Sequence, residues 1–463
     1  MMKLYNTLTK KIDEITSIDP ECYKFYSCGP TVYDRAHIGN ISAFIYADLL
    51  NRALRTIKPV IHVMNYTDVD DKTIRSSRQL YPGLPPMEAL HKLTQSNIEL
   101  FAKDLTLVAI DLGAIKFVKA TDYIDEIKTF VENLVQKGFA YIAEDGVYFS
   151  IRKYKEAGKK YGQLLEITDE SYQKQRISND EYSKSEVQDF VLWKKAKPLE
   201  PSWAFEIDGN PMAGRPGWHI ECSVMSEANL GVPFDIHSGG IDLIFPHHEN
   251  EIAQSTAIGE NNILSTIFFH SNHVLVNDKK MAKSENNFIT IADIVKRGYI
   301  PLSYRMMVLQ SHYKNELHFS WNDLDSAQNR LLKWQQAADR VWQLEEQDDT
   351  STLAKLDSLI YTDLRIPQCL SIIDSAFTDA EVWFKSPSKK LLKFIDEQLG
   401  LPLVVDDINN DQKKLLESRR IARDESNWIT SDHIRQQLIT QGIDVLDTPK
   451  GQIWKRNYFL LAS

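Results

Sequence analysis

The clearest alternation of apolar and polar positions lies near the N-terminus. A strand-like run from Tyr23 to Cys28 is followed by Ile41, Phe44, Ile45, Leu49 and Ala53 at helical spacing. The pattern predicts a helix over 39–55 and a strand–turn–helix unit of the nucleotide-binding kind. A second amphipathic helix is predicted over 121–137, stopped by Gly138. Further on, the apolar run Asp189-Phe190-Val191-Leu192-Trp193-Lys194 follows a charged stretch, and Val274-Leu275-Val276 leads into a polar stretch from Asn277 to Asn287. Beyond residue 289 the pattern is helical to Gln343, breaks at the acidic Glu345–Asp349, and resumes from Leu353 to Leu399. A second break at Asp406–Asn410 sets off a small C-terminal unit.

Composition narrows this picture. A chain of 463 residues, 43% hydrophobic, is long enough for several cores and several domains. Its net charge of −10 argues against a generic nucleic-acid coat, although a local basic face can still bind RNA in an acidic protein. The four cysteines, Cys22, Cys28, Cys222 and Cys369, include no CxxC pair and suggest no disulfide framework. With no secretory or membrane-spanning run, a reducing cytoplasm is expected, with no membrane association. No internal repeat is present.

Two distant strings carry candidate chemistry. His37-Ile38-Gly39-Asn40 falls at the start of the predicted helix, where free N–H groups and the helix dipole favour phosphate. Gly39 lets a flat ring approach the backbone, and His37 and Asn40 can donate to phosphate oxygens. Lys280-Met281-Ala282-Lys283-Ser284 places two ammonium groups on a loop that could close over a triphosphate. Taken singly, each string has a bland reading: a polar helix cap for the first, a solvated lysine turn for the second. A third cluster, Pro246-His247-His248-Glu249-Asn250-Glu251, sets His247 and Glu251 four residues apart on one helical face. Together with thiolates they would make a reasonable zinc set. A metalloprotease is excluded because HExxH needs histidine at 252, where Ile252 stands.

In this order, the first two strings resemble the HIGH and KMSKS signatures of class I aminoacyl-tRNA synthetases. Cys28, Gly217-Trp218-His219-Ile220-Glu221-Cys222 and Phe245-Pro246-His247-His248-Glu249-Asn250-Glu251 extend the resemblance to the cysteinyl-tRNA synthetases, over essentially the whole chain. The resemblance implies one zinc ion per chain on Cys28, Cys222, His247 and Glu251, binding the thiolate of L-cysteine. It implies catalytic and ATP-binding roles for His37, Asn40, Lys280 and Lys283, with Gly39 at the ATP, and substrate contacts from Gly29, Thr31, Thr67, Trp218 and His237. Trp218 has core packing as an equal alternative. ATP with magnesium and tRNA(Cys) would be the other substrates, and a monomer is the family expectation. The chain departs from the family pattern at Ala282, where serine is usual, at Glu285-Asn286, and at Tyr66 and Ser238 near the pocket.

The implied fold class is α/β. A Rossmann-like parallel-sheet catalytic domain (1–117 and 217–288) would be split by a connective-peptide insertion (118–216). A stem-contact and helical-bundle region (289–400) and an anticodon-binding unit (401–463) would follow. In the last unit Arg419, Arg420 and Arg423 could hold phosphates and Trp454 could stack on a base. Equally, Trp454 could pack a small core with the arginines solvated. Two other readings stand beside this one: a mycothiol-type ligase joining cysteine to an amino sugar, and a zinc-containing RNA-binding protein without catalysis. The long C-terminal extension disfavours the first, and the two-part ATP site disfavours the second.

Overall fold

A computed structural model of the chain describes residues 1–166, 189–259, 261–281 and 287–457. It divides into two compact units, Met1–Ile291 with Tyr313–His318, and Ala292–His312 with Phe319–Ser463. The first unit is built on five parallel strands: β1 (Tyr23–Ser27), β2 (Val60–Tyr66), β3 (Lys116–Lys119), β4 (Phe234–Gly240) and β5 (Ser265–Ser271). Their order, 3-2-1-4-5, is the doubly wound arrangement, so a crevice opens beyond the carboxyl ends of β1 and β4, where the winding reverses. Helix α1 (Ile38–Arg55) follows β1 as its period predicts, beginning one residue earlier than residue 39. The predicted helix over 121–137 forms as a 3-10 turn (Ala120–Tyr123) continued by an α-helix (Ile124–Gln136).

Between β3 and β4 lies a four-stranded antiparallel sheet of Ala140–Ile142, Gly146–Phe149, Phe190–Lys195 and Gly214–Pro216. Helix α2 (Trp218–Leu230) joins this insertion to the central sheet. Ile220 and Val224 enter the core around Trp193 and Phe149, while Cys222 and Met225 enter the core beneath β1 and β4. A helix used on two faces cannot be amphipathic, which is why its sequence lacks a polar stripe. The insertion is also tied down electrostatically. Asp71 receives Lys194 at 2.6 Å and buried Arg215 at 2.5 Å, and Arg215 reaches Glu200 at 2.6 Å.

One buried histidine gives this unit an acid-sensitive core. His62 on β2 stacks on Phe25 at 4.2 Å and 7°, and its Nε2 lies 2.7 Å from Ser27 Oγ. Burial lowers its pKa to about 3. The unfolded chain, titrating near the ordinary value of about 6.5, therefore binds the extra proton between the two values. This contribution is complete above pH 6.5 and is lost as pH falls towards 3. His62→Phe keeps the stacking, and Ser27 retains Ser238 Oγ at 2.9 Å. The variant is expected to recover about 2 kcal/mol of the stability lost between pH 6.5 and pH 5. Unfolding midpoints measured at both pH values check this, and an equal fall in both proteins would contradict it.

In the second unit Trp454 is buried in a small core with Ile408, Leu416, Leu438 and Ile443. Arg419 is fully buried on Asp447, at 2.8 and 2.9 Å. The packing alternative therefore holds for Trp454, and Arg419 is a structural ion pair rather than a phosphate contact. Arg420 is exposed and pairs with Glu417 and Asp424.

Candidate active site

Cys28 is the first residue beyond β1, buried at the sheet's reversal point. Cys222 comes from the second turn of α2. His247 and Glu251 come from the segment after β4, where a turn kinked at extended Phe245 (Ile244–His248) runs into α3 (Glu249–Ile258). The regular helix thus starts two residues later than the expected start near His247. The helical backbone after the kink still brings His247 Nε2 to 3.0 Å from Glu251 Oε1. Cys28 Sγ lies 3.8 Å from Cys222 Sγ and 3.7 Å from Glu251 Oε1. One donor atom from each of these four buried residues falls within 4.8 Å of all the others.

The set fits a dication. A tetrahedral ion with metal–sulfur bonds of ~2.3 Å would hold its two sulfurs about 3.8 Å apart. Burial, then the neighbouring Cys222 and Glu251, pushes the Cys28 thiol well above its ordinary range. Burial, aided by His219 and His237, holds His247 well below its own, leaving a neutral ring with a lone pair to give. Two thiols and a carboxylate concentrated away from water are unfavourable as anions without a cation among them.

Other residues orient this cluster. Trp218 stacks on His247 at 4.2 Å, and His219 Nδ1 lies 2.9 Å from His247 Nδ1. Fully buried His237 on β4 sets Nε2 at 2.8 Å from Glu251 Oε2. Behind it, His248 Nδ1 meets His270 Nε2 at 2.8 Å, and His270 Nδ1 meets Thr7 Oγ1 at 2.7 Å. Cys28, His237, His248 and Glu251 form a second, overlapping donor set. Gly29 follows Cys28 directly, and Thr31 is bridged to Thr67 just beyond the end of β2.

The nucleotide-type signatures meet at the start of α1. His37 is its N-cap, and its Nδ1 accepts from the Asn40 N–H at 3.2 Å. Burial lowers its pKa to about 4, so near neutral pH the ring is uncharged and its hydrogen sits on Nε2 as a donor. A Cβ on Gly39 would come within 2.8 Å of Met281 Cε, which is the close approach this glycine permits. Phe288 meets His37 edge-on at 5.2 Å, and the Ile38 N–H donates to Ile289 O at 2.8 Å. The segment bearing Lys280 is therefore packed on the helix start on both sides of residues 282–286. Lys280 is exposed on a short strand, and its carbonyl accepts from Asn287 Nδ2 at 3.0 Å. Lys283, with Ala282, Glu285 and Asn286, lies outside the described residues.

Comparison with known proteins decides the family. The profile of the tRNA synthetases class I (C) catalytic domain matches residues 14–329. The chain is 35% identical to a cysteine–tRNA ligase of Leptospira interrogans over 98% of its length and 99% of the relative's. It is 37% identical to one of Chlamydia muridarum, over 98% and 99%, and 35% identical to one of Thermococcus onnurineus, again over 98% and 99%. The chain belongs to the cysteinyl-tRNA synthetases. A solved Mycobacterium tuberculosis methionyl-tRNA synthetase in complex with methionyl-adenylate shares the fold, with a TM-score of 0.57 at 14% identity over 83% of this chain and 88% of that one.

As a cysteinyl-tRNA synthetase, the molecule is a class I ligase with the expected Rossmann-like sheet. None of its described helices is long and apolar enough to cross a membrane. Of the histidines around the donor cluster, His237 was singled out from the sequence, while His219, His248 and His270 were assigned no role. His219 had a signal, standing three residues before Cys222 on one helix. Thr7 and His270 had none, because they meet across 263 residues of chain.

Proposed function

We propose that the protein activates L-cysteine with ATP and magnesium and transfers it to the 3′-terminal adenosine of tRNA(Cys). Zinc on Cys28, Cys222, His247 and Glu251 would select the substrate. The observation that carries this reading is the convergence of two thiols, one imidazole and one carboxylate at the sheet's reversal point, in a chain whose relatives are cysteine–tRNA ligases. A bound zinc ion supplies a soft Lewis acid that prefers a thiolate to the neutral hydroxyl of serine.

The chain's own residues do the rest. Trp218 and His219 hold the His247 ring, and His237 holds Glu251, so the donors are set before the amino acid arrives. A carboxylate oxygen of cysteine attacks the α-phosphorus of ATP, the bond to pyrophosphate breaks, and cysteinyl-adenylate forms. His37 Nε2–H, Asn40, Lys280 and Lys283 stabilise the charge that gathers on the phosphates, and Gly39 admits the adenine. A ribose hydroxyl of the terminal adenosine then attacks the acyl carbonyl and AMP leaves. In the second unit, a groove of about 680 Å³ carries Arg330, Lys333, Arg340 and Lys455 against Asp374 and Glu381, an excess of positive charge that supports an RNA partner.

Charging of purified tRNA(Cys), with cysteine and serine supplied in parallel, tests the whole reading. Cysteine is expected to be charged at least ~10⁴-fold more efficiently than serine. Pyrophosphate exchange with cysteine but no charging of tRNA would move the acceptor to another class of molecule, and no exchange at all would reject the enzyme reading.

A further inference from the structure

After the short helix Ile151–Glu156, a segment of the insertion runs back along α3 towards its first turn. Tyr154 Oη lies 2.6 Å from Thr256 Oγ1, and Lys159 Nζ donates to Thr256 O. Tyr161 Oη then donates to Asn250 Oδ1 at 2.6 Å, and its ring meets Phe245 edge-on at 6.4 Å. The segment ends with three successive N–H groups on one carboxylate. Gly162 at 2.6 Å and Gln163 at 2.9 Å donate to Glu249 Oε1, and Gln163 and Leu164, each at 3.0 Å, to Oε2. A φ of 98° at Gly162 turns these groups to one side, as in the backbone nests that hold anions. Leu164 then enters the core that contains Cys28, Cys222 and Ile252. Glu249 is fully buried and stands midway between His247 and Glu251 in sequence. Its four lone-pair directions are all taken by the nest, so it has none to offer a metal. Extended Phe245 breaks the helical path between β4 and His247, so the first turn of α3 needs a hold from elsewhere.

We infer that Glu249 is a positioning residue for the metal site. Clamped by the N–H groups of Gly162, Gln163 and Leu164, it seats the first turn of α3 and so sets His247 and Glu251 against Cys28 and Cys222. The inference rests on the zinc site proposed above. It adds that the insertion, which supplies none of the four donors, holds two of them in place.

Glu249→Gln tests this with almost no change of shape. Its oxygen can still accept from Gly162, but its Nε2 faces the Leu164 N–H, donor against donor. Zinc affinity, read by competition with a chelator, is expected to fall about tenfold or more. The thiolate-to-metal absorption of the cobalt-substituted protein should shift, and the KM for cysteine should rise at an unchanged KM for ATP. Tyr154→Phe is the control, because it removes a buried contact between the same segment and the same helix, but at Thr256, beyond both donors. It should lower the unfolding midpoint and leave zinc affinity and the cobalt spectrum at wild-type values. Wild-type zinc affinity and cobalt spectrum in Glu249→Gln would overturn the inference. So would an equal loss of zinc affinity in Tyr154→Phe, since the effect would then be one of general stability. If Glu249→Gln does not fold, Tyr161→Phe decides: it removes only the bond to Asn250, and weaker zinc binding is expected, whereas unchanged binding would overturn the inference. A wild-type protein that binds no zinc would reject the proposed metal site, and this inference with it. Zinc binding without cysteine-dependent exchange would reject the ligase reading alone, and the metal readouts would still decide the role of Glu249.

Discussion

Cys222→Ala is expected to reduce bound zinc from one per chain to a small fraction and to lower cysteine-dependent pyrophosphate exchange by ~10⁴-fold or more. The size of the effect follows from the position. Cys222 is 1% exposed and its sulfur lies 3.8 Å from that of Cys28. Alanine leaves three donors and a void that water is poorly placed to fill. A hydrocarbon wall recognises a thiol only as a small apolar group, hardly different from a hydroxyl of similar size. A metal that binds the sulfur directly discriminates by the whole strength of that contact. The variant should therefore lose selectivity as well as rate, with serine and cysteine becoming comparably poor substrates. Cys369→Ala is the matched control. Cys369 is equally buried, and burial pushes its thiol up to about 12, but it lies on a helix of the second unit (Ile366–Val382). Metal content by elemental analysis and exchange rates for both variants decide the matter: normal zinc in Cys222→Ala would remove this residue from the donor set.

The parts of this site that were legible in the sequence are those whose geometry is local. His247 and Glu251 are four residues apart, and the helical turn after the kink at Phe245 brings them together. Helix α1 was legible because Ile41, Phe44, Ile45, Leu49 and Ala53 repeat at its period, although its start was expected at Gly39 and the cap, His37, was not named as one. That Cys28 and Cys222 lie together depends on strand order, which no local pattern records; the resemblance supplied it. Resemblance could not supply the hydrogen-bond chain Thr7–His270–His248, nor the amide of Asn65, whose Oδ1 accepts from Gly29 N–H at 2.8 Å. Those contacts join strands whose residues look like ordinary buried polar side chains until their neighbours are known. Trp454 shows the opposite limit. An aromatic residue flanked by lysine and arginine reads equally well as a stacking platform or as core, and only burial among Ile408, Leu416 and Leu438 separates the two.

Gly29→Ala is expected to cost ~10²-fold or more in cysteine activation while leaving ATP binding nearly intact. The reason is space. Gly29 is not among the glycines with positive φ, so alanine meets no conformational penalty there. Its Cβ, however, would stand 1.7 Å from the Asn65 carbonyl oxygen and 2.9 Å from the carbonyl carbon. These are backbone atoms of β2, held by pairing with β3 through Val118, and no rotamer change removes them. The turn itself must move, by more than an ångström, and Cys28 is its preceding residue. The displaced thiol would no longer match the other three donors, and the Gly29 N–H would lose Asn65 Oδ1. The start of α1 is held separately, by Ile38 N–H on Ile289 O and by His37 edge-on against Phe288, and need not follow. A rise in the cysteine KM together with reduced zinc affinity, at an unchanged KM for ATP, is therefore the expected signature. Equal losses for both substrates would mean that the whole strand–turn–helix unit shifts as one body, and wild-type zinc affinity would mean that the turn can yield without moving Cys28.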